Sequence, residues 1–93
     1  MTELEKYREN IDRIDKQLID LLKERFKYSE KIGKIKGDRG IPILQSGRWD
    51  EVMASRREYA IKAGLPEIFT ADILQLIHRE SIRIQHEVGN RNE

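Results

Sequence analysis

The sequence predicts an all-α fold of three helices per chain, one of them very long. Three observations predict it. From Leu4 to Ile35, apolar residues recur on a seven-residue period with no proline. Two breaker-rich stretches, Gly37-Asp38-Arg39-Gly40 and Gly64-Leu65-Pro66, divide the 93 residues into three segments. No stretch alternates apolar and polar residues as a half-buried strand would. Residues 1–93 read as one small domain with a modest core.

The first helix spans about residues 2–36. One seam position reads Leu4, Ile11, Leu18, Arg25, Ile32, and the other reads Tyr7, Ile14, Leu21, Tyr28, Ile35. Arg25 is the only charge in that seam. Turned toward a core, a guanidinium needs a carboxylate or an anionic ligand, because an unpaired buried charge costs several kcal/mol. On the outer face Glu9 with Arg13, Asp12 with Lys16 and Glu30 with Lys34 are spaced for i,i+4 pairs. At 1.5 Å per residue the helix is roughly 50 Å long. A compact domain of this size is only about 25–30 Å wide. The remaining chain is too short to cover the seam, so self-association is expected.

Gly37 is placed for a left-handed C-cap, and Ile41-Pro42-Ile43-Leu44 follows as an apolar, packed loop. Ser46 is the expected N-cap of a second helix, about residues 47–63. Its inner face reads Trp49, Val52, Met53, Arg56, Ala60. Thr70 is the expected cap of a third helix, about residues 71–88. The inner face of that helix reads Ile73, Leu74, Ile77, Ser81, Ile84, Gln85, Val88. The tail after Gly89 is expected to fray.

Composition excludes several function classes. Charged residues make up 38%, yet the net charge is only +1, which is no nucleic-acid footprint. No apolar run approaches the roughly 18 residues of a membrane span. The polar start MTELEKYREN is no secretory signal. Without cysteine there is no disulfide, thiol nucleophile or zinc-thiolate site. A cytoplasmic protein is the expectation.

The polar residues that interrupt the apolar faces carry the chemistry. Arg25 and Lys36 lie eleven residues apart, near three helical turns, so both project from almost one face about 16 Å apart. They can converge on a small ligand, or Lys36 can serve only the helix dipole. Ser81 and Gln85 must be satisfied by an interhelical hydrogen bond or by a ligand. Arg48 sits at the start of the second helix, as a surface residue or beside the ligand. His78 and His86 read as solvent-facing. The inward set therefore holds cations and neutral donors, with no carboxylate and no general base. It suits holding a small polyanion and stabilising charge on oxygen. It does not suit hydrolysis or nucleophilic catalysis, and no inward carboxylate–histidine cluster marks a metal site.

In this order the residues resemble the all-helical class of chorismate mutases. The resemblance is carried by YRENIDRIDKQLIDLLKER and EKIGKIK in the first helix, PILQSGRWDE in the loop and second helix, and IHRESIRIQHE in the third. It spans about residues 5–88. It implies an intertwined homodimer whose two sites each borrow an arginine, here Arg8, from the partner chain. Arg8 and Arg25 lie roughly 25 Å apart on one straight helix, which agrees with that borrowing. The implied reaction is the Claisen rearrangement of chorismate to prephenate, with no cofactor or metal. By the same resemblance Arg8, Arg25 and Ser81 engage the substrate carboxylates, Lys36 and Gln85 donate to the ether oxygen, and Arg48 supports the loop and its electrostatics. Two positions depart from the family pattern. Gln45 replaces a common aspartate, and Trp49 replaces a glutamate that helps bind the substrate hydroxyl; Gln45 or backbone groups are candidates to take over that role. The PILQSGRWDE stretch looks most like mutase domains fused to the first enzyme of the shikimate pathway, 3-deoxy-arabino-heptulosonate 7-phosphate synthase, which implies fusion to or association with that enzyme.

Two alternatives remain. One is isochorismate pyruvate lyase, which uses a similar cationic pocket; the Lys36–Arg48 spacing and Ser81 favour the mutase. The other is a non-catalytic helical dimerisation or regulatory module that binds prephenate. The retained Arg25, Lys36 and Gln85 argue against it, since apolar residues there would add stability.

Overall fold

The computed structural model describes residues 2–90. It has three helices, α1 (Glu3–Arg39), α2 (Ser46–Ala63) and α3 (Glu67–Asn90), and no strand among the described residues. The expected all-α class is therefore observed.

The start of α1 is fixed by a capping box. The Thr2 hydroxyl accepts from the Glu5 N–H at 3.2 Å, and the Glu5 carboxylate accepts from the Thr2 N–H at 3.3 Å. Its end corrects the sequence reading, because the cap is Gly40 (φ 64°) and not Gly37. The Lys36 carbonyl accepts from the Gly40 and Ile41 N–H groups, the latter at 2.9 Å. Helix therefore continues past Gly37, and Lys36 stands inside the last turn.

The other two helix starts also move toward the N-terminus. The Trp49 N–H donates to the Gln45 carbonyl at 3.1 Å, so α2 begins at Ser46. Gln45 takes the cap position in extended backbone without a side-chain bond. Gly64, at φ 83°, closes α2 as expected. α3 begins at Glu67, just after Pro66, whose missing N–H costs nothing at a helix entrance. Thr70 is not its cap, since the Thr70 N–H and hydroxyl both donate back to the Pro66 carbonyl, at 3.1 and 2.9 Å. α3 runs to Asn90, and residues 91–93, where fraying is expected, lie outside the described residues.

α3 packs along the C-terminal half of α1, and α2 packs on α3. Small side chains set the α1–α3 distance. Ser29, Gly33 and Ser81 are buried, and a Cβ built on Gly33 would sit 2.7 Å from Gln85 Cα and 3.0 Å from its carbonyl oxygen. Backbone cannot yield as a flexible side chain can. Gly33→Ala is therefore expected to cost about 1–3 kcal/mol by forcing the helices apart. Urea unfolding monitored by helicity checks this, and an unchanged midpoint would contradict it.

What α3 leaves uncovered is as informative. Val52 and Ala60 are the buried apolar side chains of the described residues. The seam faces outward along its length: Leu4 is 57% exposed, Ile11 56%, Leu18 53% and Leu21 61%. The molecule measures 57 × 27 × 14 Å, and a helix with side chains is already about 10–12 Å thick. It is thus a single layer of helices, with a radius of gyration of 16.9 Å against about 12 Å for a compact chain of this length. The outer-face charge pairs do not close. Glu9–Arg13, Asp12–Lys16 and Glu30–Lys34 form no ion pair, whereas Lys62–Glu58, Arg83–Glu80 and Arg57–Glu67 do. Exposed pairs of long side chains gain little from closing.

Candidate active site

A cavity of about 480 Å³ opens between α1 and α2, with α3 beneath it. From α1 come Arg25, Ser29 and Lys36, and from the loop and α2 come Gln45, Arg48, Trp49 and Arg56. α3 adds His78, Ser81 and Gln85. Every site residue expected from the sequence lines it except Arg8. That residue is exposed, seventeen positions before Arg25 on α1, and is not part of this chain's cavity.

A continuous hydrogen-bond chain joins α1 to α3. The Lys36 ammonium donates to Gln85 Oε1 at 2.8 Å and to the Ile43 carbonyl at 2.7 Å. An ammonium can only donate, so the Gln85 amide is fixed with its Nε2 toward Ser81, to whose Oγ it donates at 3.1 Å. The Ser81 and Ser29 hydroxyls share a bond of 2.7 Å, and Ser29 donates to the Arg25 carbonyl at 3.4 Å. Ser29, Ser81 and Gln85 are buried, and no buried side-chain polar atom among the described residues lacks a partner. An unfilled network would be costly, whereas a filled one is rigid. The arrangement leaves one ammonium hydrogen on Lys36 and one amide hydrogen on Gln85 uncommitted.

The electrostatics are one-sided. Arg25, Lys36, Arg48 and Arg56 line the cavity, and among the described residues no aspartate or glutamate does. Burial, then the neighbouring Arg56, pull the Arg25 guanidinium below its ordinary value. Burial also pulls the Lys36 ammonium down. Both cations are thus poorly compensated by the protein, and an anion would relieve them. Arg48 has Glu51 at 3.8 Å, an exposed pair of little strength.

His78 corrects the sequence reading. It is half-buried rather than solvent-facing, and its ring stacks on Trp49 with centroids 3.8 Å apart and planes 16° from parallel. Burial, Arg25 and Lys36 lower its pKa, in that order. The signal that escaped was its spacing of three from Ser81 on α3. His86 is exposed as expected. Trp49 is accordingly part of the cavity wall, held there by a ring from the opposite helix. Ser29 also escaped sequence reasoning; its signal was its place one turn after Arg25. Arg56 was legible as the one charge on the inner face of α2, but not as a neighbour of Arg25.

Among the described residues no group of three His, Asp or Glu side chains is arranged to hold a metal ion. What the cavity offers is cations and oriented N–H donors, which suit a small dianion and charge developing on oxygen.

Known proteins give this arrangement its context. A curated T-protein of Enterobacter agglomerans is 35% identical over 89 residues, covering 96% of this chain and 24% of that protein. A bifunctional chorismate mutase/prephenate dehydratase of Aquifex aeolicus is 36% identical over 84 residues, 88% of this chain and 22% of that protein. A 4-amino-4-deoxychorismate mutase of Streptomyces venezuelae is 30% identical over 89 residues, 96% of this chain and 86% of that protein. The chain thus spans about a quarter of the T-protein but most of the Streptomyces enzyme. The family model for chorismate mutase type II matches residues 7–86, all three helices, and the chain belongs to that family.

Proposed function

We propose that the chain catalyses the Claisen rearrangement of chorismate to prephenate, for phenylalanine and tyrosine synthesis, as one half of an intertwined homodimer. The observation that carries this reading is the Lys36–Gln85 pair, two prepositioned donors in a cavity lined by cations and, among the described residues, by no carboxylate. The rearrangement breaks a C–O bond and forms a C–C bond within one molecule. It needs no acid, base, nucleophile, cofactor or metal. A protein accelerates it by holding the folded conformer and by stabilising charge on the departing ether oxygen. Lys36 and Gln85 donate their uncommitted hydrogens to that oxygen, while Arg25 holds carboxylate and Ser81, its own hydrogen spent on Ser29, fixes the Gln85 amide. Arg48 closes the loop side. Gln45 and the Trp49–His78 wall face the ring hydroxyl.

The uncovered seam supports the dimer. An antiparallel second α1 would cover it and bring the partner's Arg8 to this chain's Arg25, a distance no ligand of about 8–10 Å bridges within one helix. The same arrangement treats residues 1–93 as one domain in the cytoplasm. Association with the first shikimate-pathway enzyme rests on the PILQSGRWDE motif alone; the Aquifex relative pairs its mutase with prephenate dehydratase instead. A ring ammonium, as in 4-amino-4-deoxychorismate, would meet four cations and no carboxylate here, so the hydroxyl substrate is favoured.

Supplying chorismate, isochorismate and 4-amino-4-deoxychorismate separately, and identifying products by NMR, tests this. Prephenate from chorismate is expected. Pyruvate from isochorismate would establish the lyase instead, and no turnover of any of them would leave a binding module.

The pH profile follows from the titrating groups. Gln85 is neutral at all pH values, and His78, lowered from 6.5, is already neutral above pH 6.5. kcat/KM, which reports the free enzyme, is expected to stay level from about pH 6.5 to 8. Below pH 6.5 the unfolded chain takes up the His78 proton before the folded one does, so stability against urea falls as pH drops through that window. A tenfold rate change between about pH 6.5 and 8 would contradict the assignment.

A further inference from the structure

Arg56 is unassigned by the roles above, yet it stands in the cavity wall. It interrupts the inner face of α2 as Arg25 interrupts the seam of α1, between Val52 and Ala60, both buried. Among the described residues its one side-chain hydrogen bond is local, from Nη1 to the hydroxyl of the adjacent Ser55 at 2.9 Å. It has no ion pair among the described residues, and neither has Arg25. Both guanidiniums line this cavity, and burial first and Arg56 second disfavour the charged form of Arg25. The α1 and α2 backbones do not approach each other among the described residues, because each is held only through α3. Two like charges therefore line one cavity in which, among the described residues, no carboxylate stands.

A ligand carboxylate in this cavity suits both guanidiniums. Its two oxygens offer about four lone-pair sites, and each guanidinium presents a planar fork of donors. We propose that Arg56 is a further substrate-binding residue, which with Arg25 clamps one carboxylate of the dicarboxylate ligand between α2 and α1. This rests on the proposed rearrangement for the identity of the ligand. It adds a consequence of its own, that ligand ties α2 directly to α1. Because the carboxylate keeps its charge throughout the reaction, Arg56 contributes ground-state and transition-state binding alike. Its loss should appear in KM and not in kcat.

The test uses the full chain, chorismate, and an oxabicyclic dicarboxylate that mimics the rearrangement transition state. Arg56→Leu is expected to weaken calorimetric binding of the mimic and raise KM by about tenfold, with kcat within about twofold. Arg56→Lys is expected to recover part of the loss, as a point charge without the fork. Lys62→Ala removes a cation from the same helix outside the cavity and is expected to change neither. Arg56 is exposed in the chain, so thermal melts should match the wild type. Unchanged KM and mimic affinity in Arg56→Leu would overturn the proposal while leaving the mutase reading standing. A fall in kcat alone, without the change in KM, would overturn it too. Wild-type protein that neither binds the mimic nor turns over chorismate would overturn the mutase reading, and the proposal with it.

Discussion

Lys36→Ala is expected to lower kcat/KM for chorismate by at least about 3 kcal/mol, roughly a hundredfold or more. The size follows from geometry. Lys36 is anchored through two of its three hydrogens, to the Ile43 carbonyl and Gln85 Oε1, so the third is held in place before substrate arrives. An oriented cation at a developing oxyanion acts fully in the transition state and weakly in the ground state. The loss should therefore fall mainly on kcat. Folding should survive, because Lys36 is half-buried and both acceptors can be rehydrated. Chorismate consumption, read by absorbance alongside a thermal melt, measures both. Near-normal turnover by the folded variant would remove Lys36 from the site.

Ile14→Glu is expected to abolish activity by separating the two chains. Ile14 lies in the seam, and it is 45% exposed in the single chain. In a symmetric dimer each substitution would appear twice along the interface. Burying a carboxylate in an apolar seam costs several kcal/mol, comparable to the whole stability of a small protein. A chain whose buried apolar side chains, among the described residues, are Val52 and Ala60 has little to hold it folded alone. Light scattering should show twice the chain mass for the wild type and no dimer for the variant, with helicity falling as well. A dimeric, active Ile14→Glu protein would contradict the seam as the interface. Arg25 behaves differently in this respect. It is the seam's one charge, so its removal should harm catalysis while leaving folding intact or improved.

The sequence made the three helices legible through the seven-residue seam and the two breaker stretches. It also made most of the cavity legible, because Arg25, Lys36, Ser81 and Gln85 are polar residues on apolar faces. The helix ends were less so. Gly37 and Gly40 are equally suited to a left-handed cap, and the choice is expressed by which N–H groups reach the Lys36 carbonyl. The capping signals of Ser46 and Thr70 were local chemistry overridden by bonds to Gln45 and Pro66. The Trp49–His78 stack joins residues 29 positions apart on different helices, which no periodicity reveals. The closeness of Arg56 to Arg25 is of the same kind, a tertiary fact about two outlying charges. Gly33 looked like a tolerated helical glycine, and only the path of α3 across it explains why no side chain fits there.

The central claim is that each site is assembled from two chains, with Arg8 of one meeting Arg25 of the other. Mixing Arg8→Ala with Arg25→Ala protein tests it most directly. Each parent alone should be nearly inactive, because every site lacks one arginine. After unfolding and refolding together, half of the dimers should be mixed, and one of the two sites in each should carry both arginines. About a quarter of wild-type conversion of chorismate to prephenate should return. A mixture no more active than its parents would contradict a shared site.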